Sequence, residues 1–114
     1  MGSPLETSVR FGMRERFESD GALRLALSGE LDMSVAQALA DRLTRLRNEG
    51  YVVRVDLSRL EFIDSSGLRE LILATSRQRQ PHAGRMEVDR RVSEPVRRVI
   101  EFAGVHSRFW PDPG

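Results

Sequence analysis

The residues whose types and spacing best suit chemistry are Asp64, Ser65, Ser66 and Gly67, between an apolar run ending at Ile63 and a helix-like run. Such a junction places a carboxylate and two hydroxyls at a helix N-terminus, where backbone N–H groups lack partners and the helix dipole favours negative charge. A serine there can cap the helix, hold an anion or carry a phosphate. Because Asp and Ser are also common as simple caps, these residues leave both a cap and a phosphorylation site open.

A second candidate, the sequence Gly29-Glu30-Leu31-Asp32, follows another strand-like run and shortly precedes a helix. Asp32 therefore stands in the same relation to its strand as Asp64 does. In a parallel α/β sheet both aspartates emerge at the carboxyl edge of the strands, where sites gather in this architecture.

Several kinds of chemistry are disfavoured by composition. The chain has no cysteine and no lysine, so disulfides, thiolate catalysis and lysine Schiff bases are excluded. His82 and His106 are not spaced as a metal-binding pair, and no zinc site or other cofactor is expected. The Gly-x-Ser-x-Gly elbow of a serine hydrolase is missing around Ser65, so an enzyme that uses Ser65 as nucleophile has little support.

The arginines fall into two groups. Arg42, Arg45 and Arg47 are interpreted as a solvated face of one helix, and Arg90-Arg91 with Arg97-Arg98 as a basic cluster around a later helix. A nucleic-acid patch is the alternative for the basic cluster. Because net charge is only +1 and no aromatic residues are interleaved with the arginines, we expect no direct nucleic-acid binding.

The length of 114 residues and the 39% hydrophobic content predict one globular domain over residues 8–114. Residues 1–7 are predicted to be a disordered tail or a cloning remnant. No apolar run approaches the roughly 20 residues needed to span a bilayer, and the N-terminus lacks the features of a signal peptide. We therefore expect a cytoplasmic protein with no membrane partner.

The elements that must position these residues follow from periodicity and turn signals. A hairpin turn is predicted at Ser19-Asp20-Gly21, and the strand after it is expected to be covered on both faces. Strands are predicted over 10–17, 22–28, 51–57 and 85–89 and at Phe109-Trp110. The first helix is predicted to be capped by Ser34 with Gln37 and to end before Gly50. The second helix is predicted to run from Gly67 to Arg79. The third helix is predicted to be capped by Ser93 and to end at Gly104, with Val96, Val99, Ile100 and Ala103 buried. This order predicts an α/β fold, with a mixed, mainly parallel sheet of about five strands and helices packed on it.

Together these elements resemble the STAS domain family, and in particular its anti-sigma factor antagonists. The resemblance covers about residues 8–110. It rests on Gly29-Glu30-Leu31-Asp32 before the first helix, on Asp64-Ser65-Ser66-Gly67-Leu68 after a Val/Leu strand, and on the segment from Val96 to Phe109 with its Phe102-Ala103-Gly104-Val105 turn.

The resemblance implies a binding switch rather than an enzyme. An unphosphorylated antagonist of this type binds a serine kinase that doubles as an anti-sigma factor, which frees the sigma factor in bacterial transcription and stress responses. Phosphorylation ends the binding and a serine phosphatase restores it. By position the phosphorylated hydroxyl is that of Ser65, with Ser66 as second choice, and Asp32, Asp64, Ser66 and Gly67 contact the partner. A monomer or weak dimer is expected. The alternative is a STAS scaffold or ligand-sensing module in a stress-signalling or transport assembly.

Overall fold

The computed structural model describes residues 10–76 and 84–111. The predicted tail, His82 with its loop, and the end of the second helix lie outside these residues. The strands are β1 (Phe11–Phe17), β2 (Leu23–Leu31), β3 (Val52–Ile63) and β4 (Arg85–Val92), and the helices are α1 (Met33–Asn48), α2 (Ser65–Ser76), α3 (Glu94–Ala103) and α4 (His106–Phe109).

The strands form one sheet in the order β1-β2-β3-β4. β1 and β2 are an antiparallel hairpin, whose turn is closed by the Glu18 N–H bonded to the Ala22 carbonyl at 2.8 Å. Gly21 has φ of 89°, a left-handed conformation that glycine adopts without strain. β2 pairs with β3, and β3 with β4, in parallel. The predicted hairpin and mixed, mainly parallel sheet are therefore confirmed.

Helices α1 and α2 connect the parallel strands. Such crossovers are right-handed, and the strand order steps in one direction, so both helices lie on the same face of the sheet. Apolar side chains of β2, β3 and β4 meet those of the helices in one core cluster. Leu25, Leu39, Leu57, Leu71 and Ile100 are among its fully buried members, and burying each such side chain contributes about 1.5–3 kcal/mol.

The opposite face of the sheet, here called the open face, is polar. Its side chains include Arg24 and Ala26 of β2 and Arg54 and Asp56 of β3, all half-buried. Arg24 bonds to Asp56 at 3.1 Å. The prediction that β2 is covered on both faces is wrong, because ion pairs take the place of a second apolar layer.

The predicted fifth strand is also wrong. Phe109 and Trp110 are buried as expected, but Phe109 belongs to the one-turn helix α4, and the described residues form a sheet of four strands. The Trp110 indole N–H donates to the Val88 carbonyl at 2.8 Å, which fixes Trp110 against β4. The buried apolar pair is therefore held by side-chain contacts instead of by a strand ladder.

Details of the three long helices differ from expectation, and α2 begins at Ser65, two residues before the predicted start at Gly67. Asp32, not Ser34, caps α1, and Gln37 bonds to Asp41. Ser93 precedes α3, but its hydroxyl donates to the Leu60 carbonyl across the sheet instead of capping. Ala103 is exposed and Arg47 is buried. The predicted helix ends at Gly50 and Gly104 are confirmed, with φ of 87° and 71°.

Candidate functional site

The two aspartates singled out in the sequence leave adjacent strands at the same edge. Leu31 at the end of β2 is paired with Ile63 at the end of β3. The Asp64 N–H then donates to the Leu31 carbonyl at 3.1 Å. Asp32 and Asp64 therefore begin the neighbouring helices α1 and α2, as the parallel arrangement predicts.

The Asp64 carboxylate joins the two helix starts. One oxygen accepts the Gly67 N–H of α2 at 3.0 Å, and the other accepts the Met33 N–H of α1 at 3.0 Å. The Asp64 carbonyl accepts the Leu68 N–H at 3.0 Å. Two amides that lack helical partners are thus satisfied by one side chain, which holds the two helix starts together.

Asp32 is confined to its own helix. Its carboxylate accepts the Ser34 N–H at 2.9 Å and the Ser34 hydroxyl. The Ser34 hydroxyl, helped by the Ser34 N–H and the charge of Arg10, holds the pKa of the Asp32 carboxyl below its usual value. Asp32 is therefore a charged group at neutral pH, beside the start of α2.

Ser65 and Ser66 form the first turn of α2, behind the Asp64 cap. Ser65 is exposed and Ser66 is half-buried. Within residues 10–76 and 84–111 the structure gives neither hydroxyl a hydrogen-bond partner. Because Asp64 performs the capping, the Ser65 hydroxyl points at no internal acceptor and is open to chemistry from outside.

Gly67 is buried where α2 meets the end of β2. A β-carbon at this position would lie 2.5 Å from Leu31 Cγ and 3.0 Å from the Leu31 carbonyl oxygen. Such distances leave no room for a side chain. The glycine lets the start of α2 pack directly on β2, which sets the position of the two serines.

Two exposed apolar side chains beside this edge were not predicted. Met33 follows Asp32 and is 76% exposed, and Phe62 lies two residues before Asp64 and is 48% exposed. Phe62 falls in a segment of β3 that the sequence analysis did not assign to the strand, so its face was not predicted. Its pairing with Glu30 places it on the open face.

No group of His, Cys, Asp and Glu side chains in the part of the chain described is arranged to hold a metal ion. His106, the first residue of α4, packs edge-on against Trp110, with ring centroids 5.0 Å apart. What the edge provides is an exposed hydroxyl, two carboxylates and two apolar side chains.

Comparison with known proteins assigns the family. The family model described as "Mlab, STAS domain" matches residues 15–109. The chain belongs to the STAS domain family. No curated protein matches the sequence of this STAS domain.

Solved structures confirm the fold. An anti-sigma factor antagonist from Mycobacterium paratuberculosis matches with a TM-score of 0.72 and 23% identity, over 100% of this STAS domain and 92% of that chain. The anti-sigma factor antagonist SpoIIAA in its unphosphorylated form matches with a TM-score of 0.64 and 25% identity, over 82% of each chain. Phosphorylated SpoIIAA from Bacillus matches with a TM-score of 0.60 and 23% identity, over 82% of this domain and 85% of that chain.

In the described ranges, every helix of this STAS domain is too short or too polar to cross a bilayer.

Proposed function

We propose that this STAS domain is an anti-sigma factor antagonist whose binding to an anti-sigma serine kinase is ended by phosphorylation of Ser65. The family assignment and the likeness to SpoIIAA, solved in unphosphorylated and phosphorylated forms, support the general role. Residues 8–114 constitute the functional domain, which acts as a binding protein rather than an enzyme. A serine phosphatase resets the switch, and the system operates in the bacterial cytoplasm.

The observation that carries this proposal is that Asp64 caps α2, so that the Ser65 hydroxyl is not needed for capping. Asp64 satisfies the helix start with its own carboxylate, and Ser65 stands exposed at the same turn. A phosphate on Ser65 would meet the positive end of the α2 dipole, which stabilises an anion by roughly 0.3–1 kcal/mol at a surface. The modification therefore leaves the fold intact.

The effect of phosphate falls on the partner. Asp32 and Asp64 already carry negative charge at this edge, and Met33 and Phe62 offer apolar contact area. A phosphate on Ser65 adds roughly −1.5 to −2 charges and bulk at the same edge. A partner that accommodates the two carboxylates and the neutral hydroxyl is then faced with like-charge repulsion and a steric block.

The proposal is tested by recovering the kinase and measuring its binding to three forms of the protein. Wild type is used as bait in a lysate of the source organism, and the captured anti-sigma kinase is purified. We expect wild type and Ser65→Ala to bind it, and Ser65→Glu to bind at least tenfold more weakly. Ser76→Glu, an exposed serine at the other end of α2, is the matched charge control and should bind like wild type.

Three results would overturn the assignment. Tight binding of Ser65→Glu would remove Ser65 as the switch. Recovery of a large homo-assembly without a kinase would favour the scaffold function instead. Labelling of Ser65 by a serine-reactive phosphonate would indicate a nucleophilic enzyme and would also contradict the proposal.

A further inference from the structure

The open face carries a concentration of arginine that the net charge of +1 hides. Strand pairing aligns Arg16 of β1 with Arg24 of β2, and Arg24 with Arg54 of β3. Arg14 pairs with Ala26 and Arg59 with Ser28, so these arginines occupy the neighbouring rows of the same face. Five arginines thus project from three adjacent strands.

Two of the five are neutralised within the fold. Arg24 bonds to Glu18 at 2.9 Å and to Asp56 and Asp89 at 3.1 Å each. Arg54 bonds to Glu18 at 2.9 Å, to Asp20 at 2.7 Å and to Glu87 at 3.0 Å. These two arginines engage five of the acids on or beside the open face, and the negative charge is concentrated around them.

The other three arginines, Arg14, Arg16 and Arg59, are here called the arginine patch. All three are exposed. No ion pair or hydrogen bond joins their guanidinium groups to any residue in the described ranges. They border a depression of about 560 Å³ over β1, β2 and β3. Glu15 also borders it but is paired with Arg42 of α1.

We propose that the arginine patch binds an extended, carboxylate-rich segment of a partner protein, separately from the surface around Ser65. Guanidinium groups bind carboxylates through two parallel hydrogen bonds. Arg14 and Arg16 are two residues apart on one strand, a separation of roughly 7 Å. An extended peptide repeats its side chains at the same interval, so acids at alternate positions match both arginines, and Arg59 lies roughly 10 Å across the sheet to engage a third.

Residues 1–9, 77–83 and 112–114 offer no acidic segment that could fill the arginine patch. The sequence outside the described ranges contains only Glu6 and Asp112 as acids. A peptide also fits better than a nucleic acid. No aromatic side chain lines the depression to stack on bases.

The test is a binding titration with a labelled peptide of five Glu-Ser repeats at low salt. The control peptide has five Lys-Ser repeats, and a 20-bp DNA duplex and vesicles of phosphatidylglycerol are further arms. We expect wild type to bind the Glu-Ser peptide in preference to the others, with an affinity that falls as salt is added. The variant Arg14→Gln/Arg16→Gln/Arg59→Gln should bind it about tenfold or more weakly.

A matched variant removes the same charge elsewhere. Arg45→Gln/Arg69→Gln/Arg108→Gln alters three exposed helical arginines and should bind the peptide like wild type. An equal loss of peptide affinity in both triple variants would show that only net charge matters and would overturn the proposal. Preferential binding of DNA or vesicles through the arginine patch would also overturn it. Both variants should still be phosphorylated on Ser65, so failure here is distinguishable from failure of the proposed switch.

Discussion

At the scale of single residues, the central feature is that the helix cap and the proposed phosphorylation site are different side chains. Asp64 accepts N–H groups from α2 and α1, which leaves Ser65 exposed. The sequence predicted the junction and both residues. It did not predict that Asp64 reaches Met33, because that contact depends on the pairing of Leu31 with Ile63 across the sheet. Ser34 was predicted as the N-cap of α1 instead of Asp32, because both residue types suit that position and their spacing alone does not distinguish them.

Replacing Asp64 tests its bridging role. Asp64→Ala leaves the Met33 and Gly67 amides without their acceptor, and the loss should lower the free energy of unfolding by roughly 1–3 kcal/mol. Urea denaturation measures this difference. Asp41→Ala, which removes only an exposed contact with Gln37, is the control and should change stability by less than about 0.5 kcal/mol.

Replacing Gly67 by alanine is expected to lower the stability of the fold, which is the opposite of what helix propensity predicts. Alanine is favoured over glycine in a helix by about 1 kcal/mol. In this fold the new methyl group would meet the Leu31 side chain and carbonyl oxygen, and overpacking costs about 1–3 kcal/mol. Gly67→Ala should therefore unfold at lower urea than wild type, whereas Ser66→Ala, its neighbour, should not. A stabilised Gly67→Ala would show that α2 can shift away from β2.

At the scale of elements, alternating strands and helices were predicted because their periodicities are strong and local. The residues at which individual strands and helices end were less predictable. β3 continues to Ile63 through a register irregularity opposite β2, and such irregularities interrupt the alternation that marks a strand. The pair Phe109-Trp110 is apolar and precedes a proline, which is compatible with a buried strand or a buried turn of helix. Tertiary contacts, including the hydrogen bond from Trp110 to Val88, stabilise the turn of helix.

The ion pairs of the open face predict a pH dependence of stability. Hydrogen bonds from Arg24 and Arg54 lower the pKa of Glu18. Burial acts to raise the pKa of Asp56, but hydrogen bonds from Ser58 and Arg24 outweigh it, and the net shift is downward. A carboxyl with a lowered pKa in the folded state stabilises the fold above its unfolded pKa of about 4, and this stabilisation is lost as pH falls through the folded value.

Arg24→Gln should therefore cost more stability at about pH 7 than at about pH 2.5, where more of the carboxyls are protonated in wild type as well. Urea denaturation at about pH 7 and about pH 2.5 compares the two proteins at each end of that titration. Arg97→Gln, which removes only exposed pairs with Glu94 and Glu101 on α3, should have little effect at either pH. A cost of Arg24→Gln that is equal at both pH values would show that packing, not charge, explains its contribution.

At the scale of the whole molecule, one helical layer covers one face of the sheet, and the two uncovered regions have different chemistry. The edge around Ser65 is negative and partly apolar, and the arginine patch is positive. The acidic and hydroxyl groups of the first were predicted from the sequence, because they belong to two short motifs, whereas the exposed side chains of Met33 and Phe62 were not. No role was predicted for Arg14, Arg16 and Arg59, because only strand pairing brings them to one face.

The switch proposal predicts that phosphorylation changes binding without changing the molecule's size or stability. Wild type and the phosphorylated protein should both elute from size-exclusion chromatography as a monomer or weak dimer. Their melting temperatures should agree within a few degrees, because the α2 dipole accommodates the phosphate. A phosphoprotein that melts far below the unmodified form would contradict the view that the partner, and not the fold, responds to the modification.

The most direct test of the central claim is to map the phosphate by mass spectrometry after incubation of the protein with the recovered anti-sigma kinase and ATP. We expect one phosphate, on Ser65, in wild type and in Ser66→Ala, and none in Ser65→Ala. Phosphorylation of Ser65→Ala at the wild-type level, on Ser66 or on any other residue, would contradict the assignment of Ser65 as the switch.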